Sequence, residues 1–237
     1  MIVSVGFDWN GTLLADTTVS YKASKAALKA LGGKQISLED FRQTVVVPTL
    51  EFYLMHGCDE NLMKADPYAA SAAFHNVYEK LAAGCRTRKH ARQVLEYLEQ
   101  EDIQRFIVTN HTHEGVNRQL SRLGMEDLID DVIANDDISP TLTGSSPKKD
   151  MLAGFLSEKG YTPGETMIVG DTEEEIEIGK ELGIVTVAIM DGYHSEERLR
   201  SAGADHYISN LGQIIGIIDS VNASQAAGQG FGQYVRG

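Results

Sequence analysis

Ile2-Val3-Ser4-Val5-Gly6-Phe7-Asp8-Trp9-Asn10-Gly11-Thr12-Leu13 is the stretch on which the fold turns. Apolar residues run up to a carboxylate, and the chain then breaks on Asn10-Gly11. A buried parallel strand that carries an acid to a ligand crevice has this pattern. A β-hairpin has it too, because Asn-Gly favours tight turns. The rest of the chain decides between them.

Downstream, strands and helices alternate. Apolar runs predict strands at 106–108, 131–134, 166–170, 185–189 and 206–208. Helical spacing and glycine stops predict helices over 90–100, 114–123, 149–159, 173–182, 195–202 and 211–221. That alternation implies an α/β fold in which right-handed crossovers build a parallel sheet covered on both faces, with residues 2–8 as its first strand. The block after that strand is nearly all helix. Over 16–31, Val19, Ala23, Ala26, Ala27, Ala30 and Leu31 share a face, and Gly32-Gly33 ends the helix. Ser37 and Asp40 read as the N-cap and N3 of a second helix, which runs through Val46 and stops before Pro48. Further helices are expected at 49–55, 59–64 and 67–82. The chain therefore divides into a discontinuous core (1–15 and 88–221), an inserted helical cap (16–87) and a flexible C-terminal tail (222–237) with four glycines.

The 237 residues are 42% hydrophobic and 23% charged, a globular composition. No apolar run is long enough to predict a membrane span. The N-terminus lacks the basic start of a signal peptide, and Asp8 comes early. Cys58 and Cys85 lie far apart without metal-type spacing, which points to free thiols in a cytoplasmic setting. The net charge of −13 argues against nucleic acid or an anionic membrane as partner. Phosphate can still bind locally through a cation and a few Lys or N–H donors.

Four groups fall at predicted strand ends or on loops that reach them. They are Asp8 and Asn10; Thr109 and Asn110; Lys148 and Lys149 after the Ser-Ser-Pro loop; and Gly170-Asp171-Thr172-Glu173-Glu174-Glu175. Each has an ordinary structural explanation. Thr109 can end a strand, either lysine can open a solvated helix, and the three glutamates can complement a helix dipole. Strand ends of a parallel sheet converge on one crevice, however, and together these groups suit phosphoryl chemistry. They supply a carboxylate nucleophile, a hard-cation site and donors for phosphate oxygens.

In this order the four groups resemble the motifs of the haloacid dehalogenase-like hydrolases. Asp8-Trp9-Asn10-Gly11-Thr12 is similar to that family's Asp-x-Asp-Gly-Thr, Thr109 to its strand-end Ser or Thr, Lys148 to its Lys, and Gly170-Asp171 with Glu175 to its Gly-Asp-x-x-x-Asp. The stretch from Gly192-Tyr193-His194 to Ala204-Asp205 resembles phosphoglycolate phosphatase-like members. The resemblance implies a Rossmann-like three-layer core with an inserted all-helical C1 cap, and a Mg²⁺-dependent phosphatase of small phosphorylated metabolites. Asp8 is then the nucleophile, and Asp8, the Asn10 carbonyl, Asp171 and Glu175 surround the metal, with Glu174 as the alternative to Glu175. Thr109, Asn110 and Lys148, or else Lys149, meet the phosphate. A monomer or homodimer is expected.

Asn10 departs from the pattern, since the family's second Asp handles the leaving-group proton and an amide cannot. Three explanations stand. One is a good leaving group such as an acyl phosphate. Another is a substitute acid among His111, His113 and His194. The last is reduced or lost turnover, as in a non-catalytic phosphometabolite-binding protein. Asn-Gly is also prone to deamidation, which would make Asp at 10. Phosphoglucomutase-type transfer fits less well because it depends on the missing acid, and dehalogenation because the metal residues are intact. Arg42 and the 45–48 loop are candidate cap contacts to substrate, with Arg86 near a joint. Arg88 reads as a solvated surface charge.

Overall fold

The computed structural model describes residues 1–66, 69–137 and 146–232. Its centre is a six-stranded, all-parallel sheet built from β1 (Ser4–Phe7), β2 (Gln104–Thr112), β3 (Asp131–Asn135), β4 (Thr166–Gly170), β5 (Val185–Ile189) and β6 (His206–Ile208). The spatial order is β3-β2-β1-β4-β5-β6, so the hairpin alternative for β1 is excluded. β1 is central, pairing in parallel with β2 on one side and β4 on the other.

Strand alternation sorts the two faces. Val5, Phe7, Ile107, Met167 and Val169 enter one apolar cluster. There they meet α6 (Ala91–Gln100), α7 (His113–Leu123) and α11 (Gln213–Gly232) through Leu95, Val116 and Ile214. Phe106, Val108 and Ile168 point the other way, to α8 (Lys148–Lys159) and α9 (Glu173–Leu182) through Leu152 and Ile178. Between β1 and β2 on that face Gly6 leaves room for the Phe106 ring, since a Cβ there would lie 2.4 Å from Phe106 Cε2. α10 (Glu196–Ala202) closes the β5 side through Leu199.

Among the described residues five helices stand between β1 and α6: α1 (Thr17–Ala30), α2 (Leu38–Thr44), α3 (Thr49–Met55), α4 (Glu60–Ala65) and α5 (Ala69–Ala82). They hold an apolar cluster of their own around Leu28, Phe41 and Phe52. Ser37 caps α2 as its sequence predicts, with a reciprocal bond to Asp40. The buried side of α1 differs from the expected one. Ser20, Ala23, Ser24, Ala27 and Leu28 are buried while Ala30 is exposed, because Ala23 packs on Tyr78 and Ala82 of α5 and the two serines face a cavity.

Three boundaries are corrected. α2 ends at Thr44 rather than running through Val46, because Val45 is already extended. β2 continues to Thr112, past a register shift against β3 between Val108 and Thr112, so Thr109 lies within the strand. α11 continues through Gly232 into the stretch expected as a tail. Residues 233–237, the start of the helix expected at 67 and Ser145 of the Ser-Ser-Pro loop lie outside the described residues. Among the described residues no helix is long and apolar enough to cross a membrane.

Candidate active site

β1 ends in a tight turn, where Leu13 and Leu14 N–H both donate to Trp9 O at 3.1 and 2.8 Å. Trp9 is fully buried and anchors the turn in the core. Gly11 has φ +76°, and a Cβ there would meet Asp171 Oδ2 at 2.1 Å, so only glycine fits. Thr12 Oγ1 donates to Asp171 Oδ1 at 2.6 Å, and Tyr193 N–H donates to Asp171 Oδ2 at 2.6 Å. The turn after β1 is thereby locked to the carboxylate that follows β4.

Lys148, 1% exposed at the start of α8, reaches across to donate to Asp8 Oδ1 at 2.8 Å. It also donates to Glu175 Oε1, and Glu174 lies 3.9 Å away. Lys149 is instead exposed and pairs with Glu181 at 2.8 Å. Glu175 Oε2 accepts from Thr172 N–H and Oγ1 in a capping box that starts α9. Expected beside a metal, Glu175 faces Lys148 and the helix cap.

Burial pushes the Asp8 carboxyl well above the carboxylate range; Lys148 pulls it down while Glu175 and Asp171 push it up. Asp171 is pushed up to about 7 by burial and by Glu175. Burial opposes the Lys148 charge, but the carboxylates outweigh it and hold the ammonium above its ordinary value. The cluster carries more negative charge than one lysine balances, and a divalent cation would relieve that excess. Among the described residues no three His, Cys, Asp or Glu side chains stand ready as a metal cluster. Asp8, Asp171 and the Asn10 carbonyl are hard oxygens that would suit Mg²⁺, which retains several waters and uses one or two carboxylates.

A cavity of about 1040 Å³ opens over Asp8, Asn10, Thr109 and Lys148 and is roofed by residues of α3, α5 and the 45–47 loop. Thr109, 1% exposed, accepts from His111 N–H at 3.3 Å and keeps its hydroxyl proton to donate. Asn110 also lines the cavity; its Nδ2 donates to Glu174 at 2.7 Å and its Oδ1 accepts from Ser146 at 2.7 Å.

This order of strand-end carboxylate, buried hydroxyl, lysine and second carboxylate coincides with a match to the family model of haloacid dehalogenase-like hydrolases over residues 5–189. The chain belongs to that family. A pyrophosphatase, PpaX, of Oceanobacillus iheyensis is 25% identical over 217 residues, 92% of this chain and 97% of its own. A phosphoglycolate phosphatase of Aliivibrio fischeri is 22% identical over 210 residues, 85% of this chain and 89% of its own. A solved structure described as a predicted phosphatase from Clostridium acetobutylicum shares the fold. Its TM-score is 0.76 at 16% identity, and the match covers 93% of this chain and 100% of that one.

In this haloacid dehalogenase-like hydrolase the side chain at 10 is engaged by a residue that sequence reasoning passed over. Asn10 Nδ2 donates to Asp16 Oδ2 and to Tyr78 OH, both at 2.7 Å. Asp16 Oδ2 also accepts from Tyr78 OH at 2.6 Å and Tyr193 OH at 3.0 Å, and its Oδ1 accepts from Gly11 N–H at 2.8 Å. Burial pushes Asp16 upward, and these donors oppose the push. An acid just before a helix reads as an N-cap, yet Asp16 makes no capping bond because its carboxylate is turned inward. The Gly11 N–H that deamidation of Asn10 would require is held by Asp16, so the fold opposes that route.

The histidines do not supply an acid. His111 lines the cavity, but burial pushes it down to about 4, and its Nδ1 accepts from Thr112 N–H at 2.7 Å. Burial pushes His194 down to about 3, and its Nδ1 accepts from Glu173 N–H at 3.0 Å. His113 starts α7 away from the lining. His75 also lines the cavity and burial lowers it too, so the three lining rings are neutral at pH 7 and have no imidazolium proton to give.

The arginines also differ from expectation. Arg42 does not line the cavity; it donates to Gly192 O at 3.1 Å and Asp191 O at 3.2 Å, tying α2 to the loop after β5. Arg88 is half-buried rather than solvated and donates to Gly11 O at 2.8 Å and Met190 O at 2.5 Å, clamping the nucleophile turn. Arg86 is exposed and outside the lining. Val45, Val46 and Val47 do face the cavity, as expected.

Proposed function

We propose that this hydrolase is a Mg²⁺-dependent phosphatase of small phosphorylated metabolites, acting through an aspartyl phosphate on Asp8 in a cytoplasmic setting. The observation that carries this reading is the Asp8 carboxylate, seated at the end of a buried strand under a large cavity, with Oδ1 held by Lys148 at 2.8 Å. Oδ2 is thereby left to attack phosphorus. Thr109 donates to a phosphate oxygen, and Lys148 offsets charge that develops there. When bound at Asp8, Asp171 and the Asn10 carbonyl, Mg²⁺ offsets repulsion between nucleophile and phosphate.

Asn10 limits the first half of the reaction, in which the leaving group departs as Asp8 takes the phosphoryl group. Its N–H bonds go to Asp16 and Tyr78, and an amide cannot protonate a departing alkoxide. With the lining histidines neutral, this favours substrates whose leaving group departs without a proton, acyl phosphates among them. The same observation favours a second reading, a phosphometabolite-binding protein of low turnover.

Release of inorganic phosphate from acetyl phosphate and a panel of phosphate esters, with and without Mg²⁺, tests the proposal. Mg²⁺-dependent release abolished by Asp8→Asn is expected. Full activity in Asp8→Asn removes Asp8 as nucleophile, and ligand binding without any release establishes the second reading.

A further inference from the structure

The cavity wall beyond the phosphate end is both apolar and acidic. Val45, Val46, Val47 and Phe52 line it, and Phe74 stacks on Tyr78 with ring centroids 5.3 Å apart and planes 15° apart. At about 1040 Å³ the cavity reaches the top of the range that accepts drug-sized ligands, about 300–1,000 Å³.

Its charges run against an anionic substrate body. Among the described residues the lining holds seven carboxylates and three Lys or Arg cations. Each cation already has an acidic partner. Lys148 is bound to Asp8 and Glu175. Arg118 pairs with Glu79 at 2.5 Å and lies 3.7 Å from Glu114. Arg198 is bound to Glu173 and also donates to Val45 O at 2.9 Å. Lys148 serves the phosphate, so a second negative group on the substrate would meet carboxylates and, among the described lining residues, no uncommitted Lys or Arg. Putting an anion there costs its hydration without the paired donors that offset such a loss.

We propose that the substrate is a phosphate monoester or acyl phosphate whose remaining body is uncharged or cationic and largely apolar. Carboxylate-bearing phosphates and diphosphates are poor substrates. This rests on the phosphatase reading and adds to it the class of molecule the cap admits.

The test compares kcat/KM for benzyl phosphate and 4-carboxybenzyl phosphate, which share a leaving-group type and differ in one charge. Acetyl phosphate serves as the probe of chemistry alone. Benzyl phosphate is expected to exceed its carboxylated analogue by about tenfold or more. Glu114→Lys, which puts a cation at the cavity edge, is expected to narrow that ratio severalfold. Equal or reversed preference overturns the proposal while the phosphatase reading survives. Turnover of acetyl phosphate with neither benzyl ester used reflects the missing acid at Asn10, and phosphonate binding then decides the proposal. If no phosphate is released from any of the three, the phosphatase reading fails. Binding of benzylphosphonate against 4-carboxybenzylphosphonate by calorimetry then decides the proposal: tighter binding of the neutral compound supports it, and equal or weaker binding refutes it.

Discussion

Replacing Asn10 by Asp puts a carboxyl oxygen where Nδ2 now sits, 2.7 Å from Asp16 Oδ2 and 2.7 Å from Tyr78 OH. Two carboxylates with charge centres about 4 Å apart repel by about 4 kcal/mol at an effective dielectric of about 20. That repulsion corresponds to about three pKa units. Asp16 is also pushed up by burial, so the pair keeps one shared proton through neutral pH. The shared proton replaces the amide N–H in the same bond and leaves the turn undisturbed. It also equips the site with the general acid it lacks, an effect of about 10²–10⁴ in rate. Asn10→Asp should therefore raise kcat/KM for an alkyl ester such as benzyl phosphate by about 100-fold or more. Acetyl phosphate should change by less than about threefold, because its leaving carboxylate needs no proton. The gain should fade at high pH as the pair loses its proton. Intact-protein and peptide mass spectra of the parent chain check that Asn10 has not deamidated. An equal gain on both substrates, or none on the alkyl ester, would refute the reasoning.

Two further outcomes follow from the same geometry. Arg88→Ala leaves the buried Gly11 carbonyl and the half-buried Met190 carbonyl without this donor and should cost about 2–3 kcal/mol, read as a lower urea midpoint; a loss below about 0.5 kcal/mol would show that the clamp is dispensable. Asp171, raised from an ordinary 3.8 to about 7, binds its proton more tightly folded than unfolded, so the metal-free protein should lose stability as pH rises from about 4 to 7, by up to about 4 kcal/mol. Mg²⁺ competes with that proton, so its stabilisation in thermal melts should be larger at pH 8 than at pH 5; equal shifts at both would separate the cation from Asp171.

Much of the fold was written in local pattern. The alternation of short apolar runs with helical spacing is a property of neighbouring residues, and the β4–α9–β5 stretch matches its sequence boundaries because Thr172 and Gly183 cap α9 by local bonds. Thr109 was legible as a site residue but misplaced within its strand, since a register shift depends on the partner strand β3 rather than on β2 alone.

The sequence by itself determined that an acid would end a buried strand of a parallel sheet, that a helical block would follow it, and which strand ends would share a crevice. Hydrophobic periodicity and capping act within a few residues, so they can be read without the fold. What surrounds those residues was decided only by tertiary structure. Asp16 looks like a helix cap until Tyr78 and Tyr193, 62 and 177 positions away, turn it toward Asn10. Arg88 looks like a surface charge until the Gly11 and Met190 carbonyls bury it. Burial and hydrogen-bond partners over such separations set each group's charge and freedom. They determine whether a histidine holds a proton, whether a glutamate is free for a metal, and what the cavity will admit.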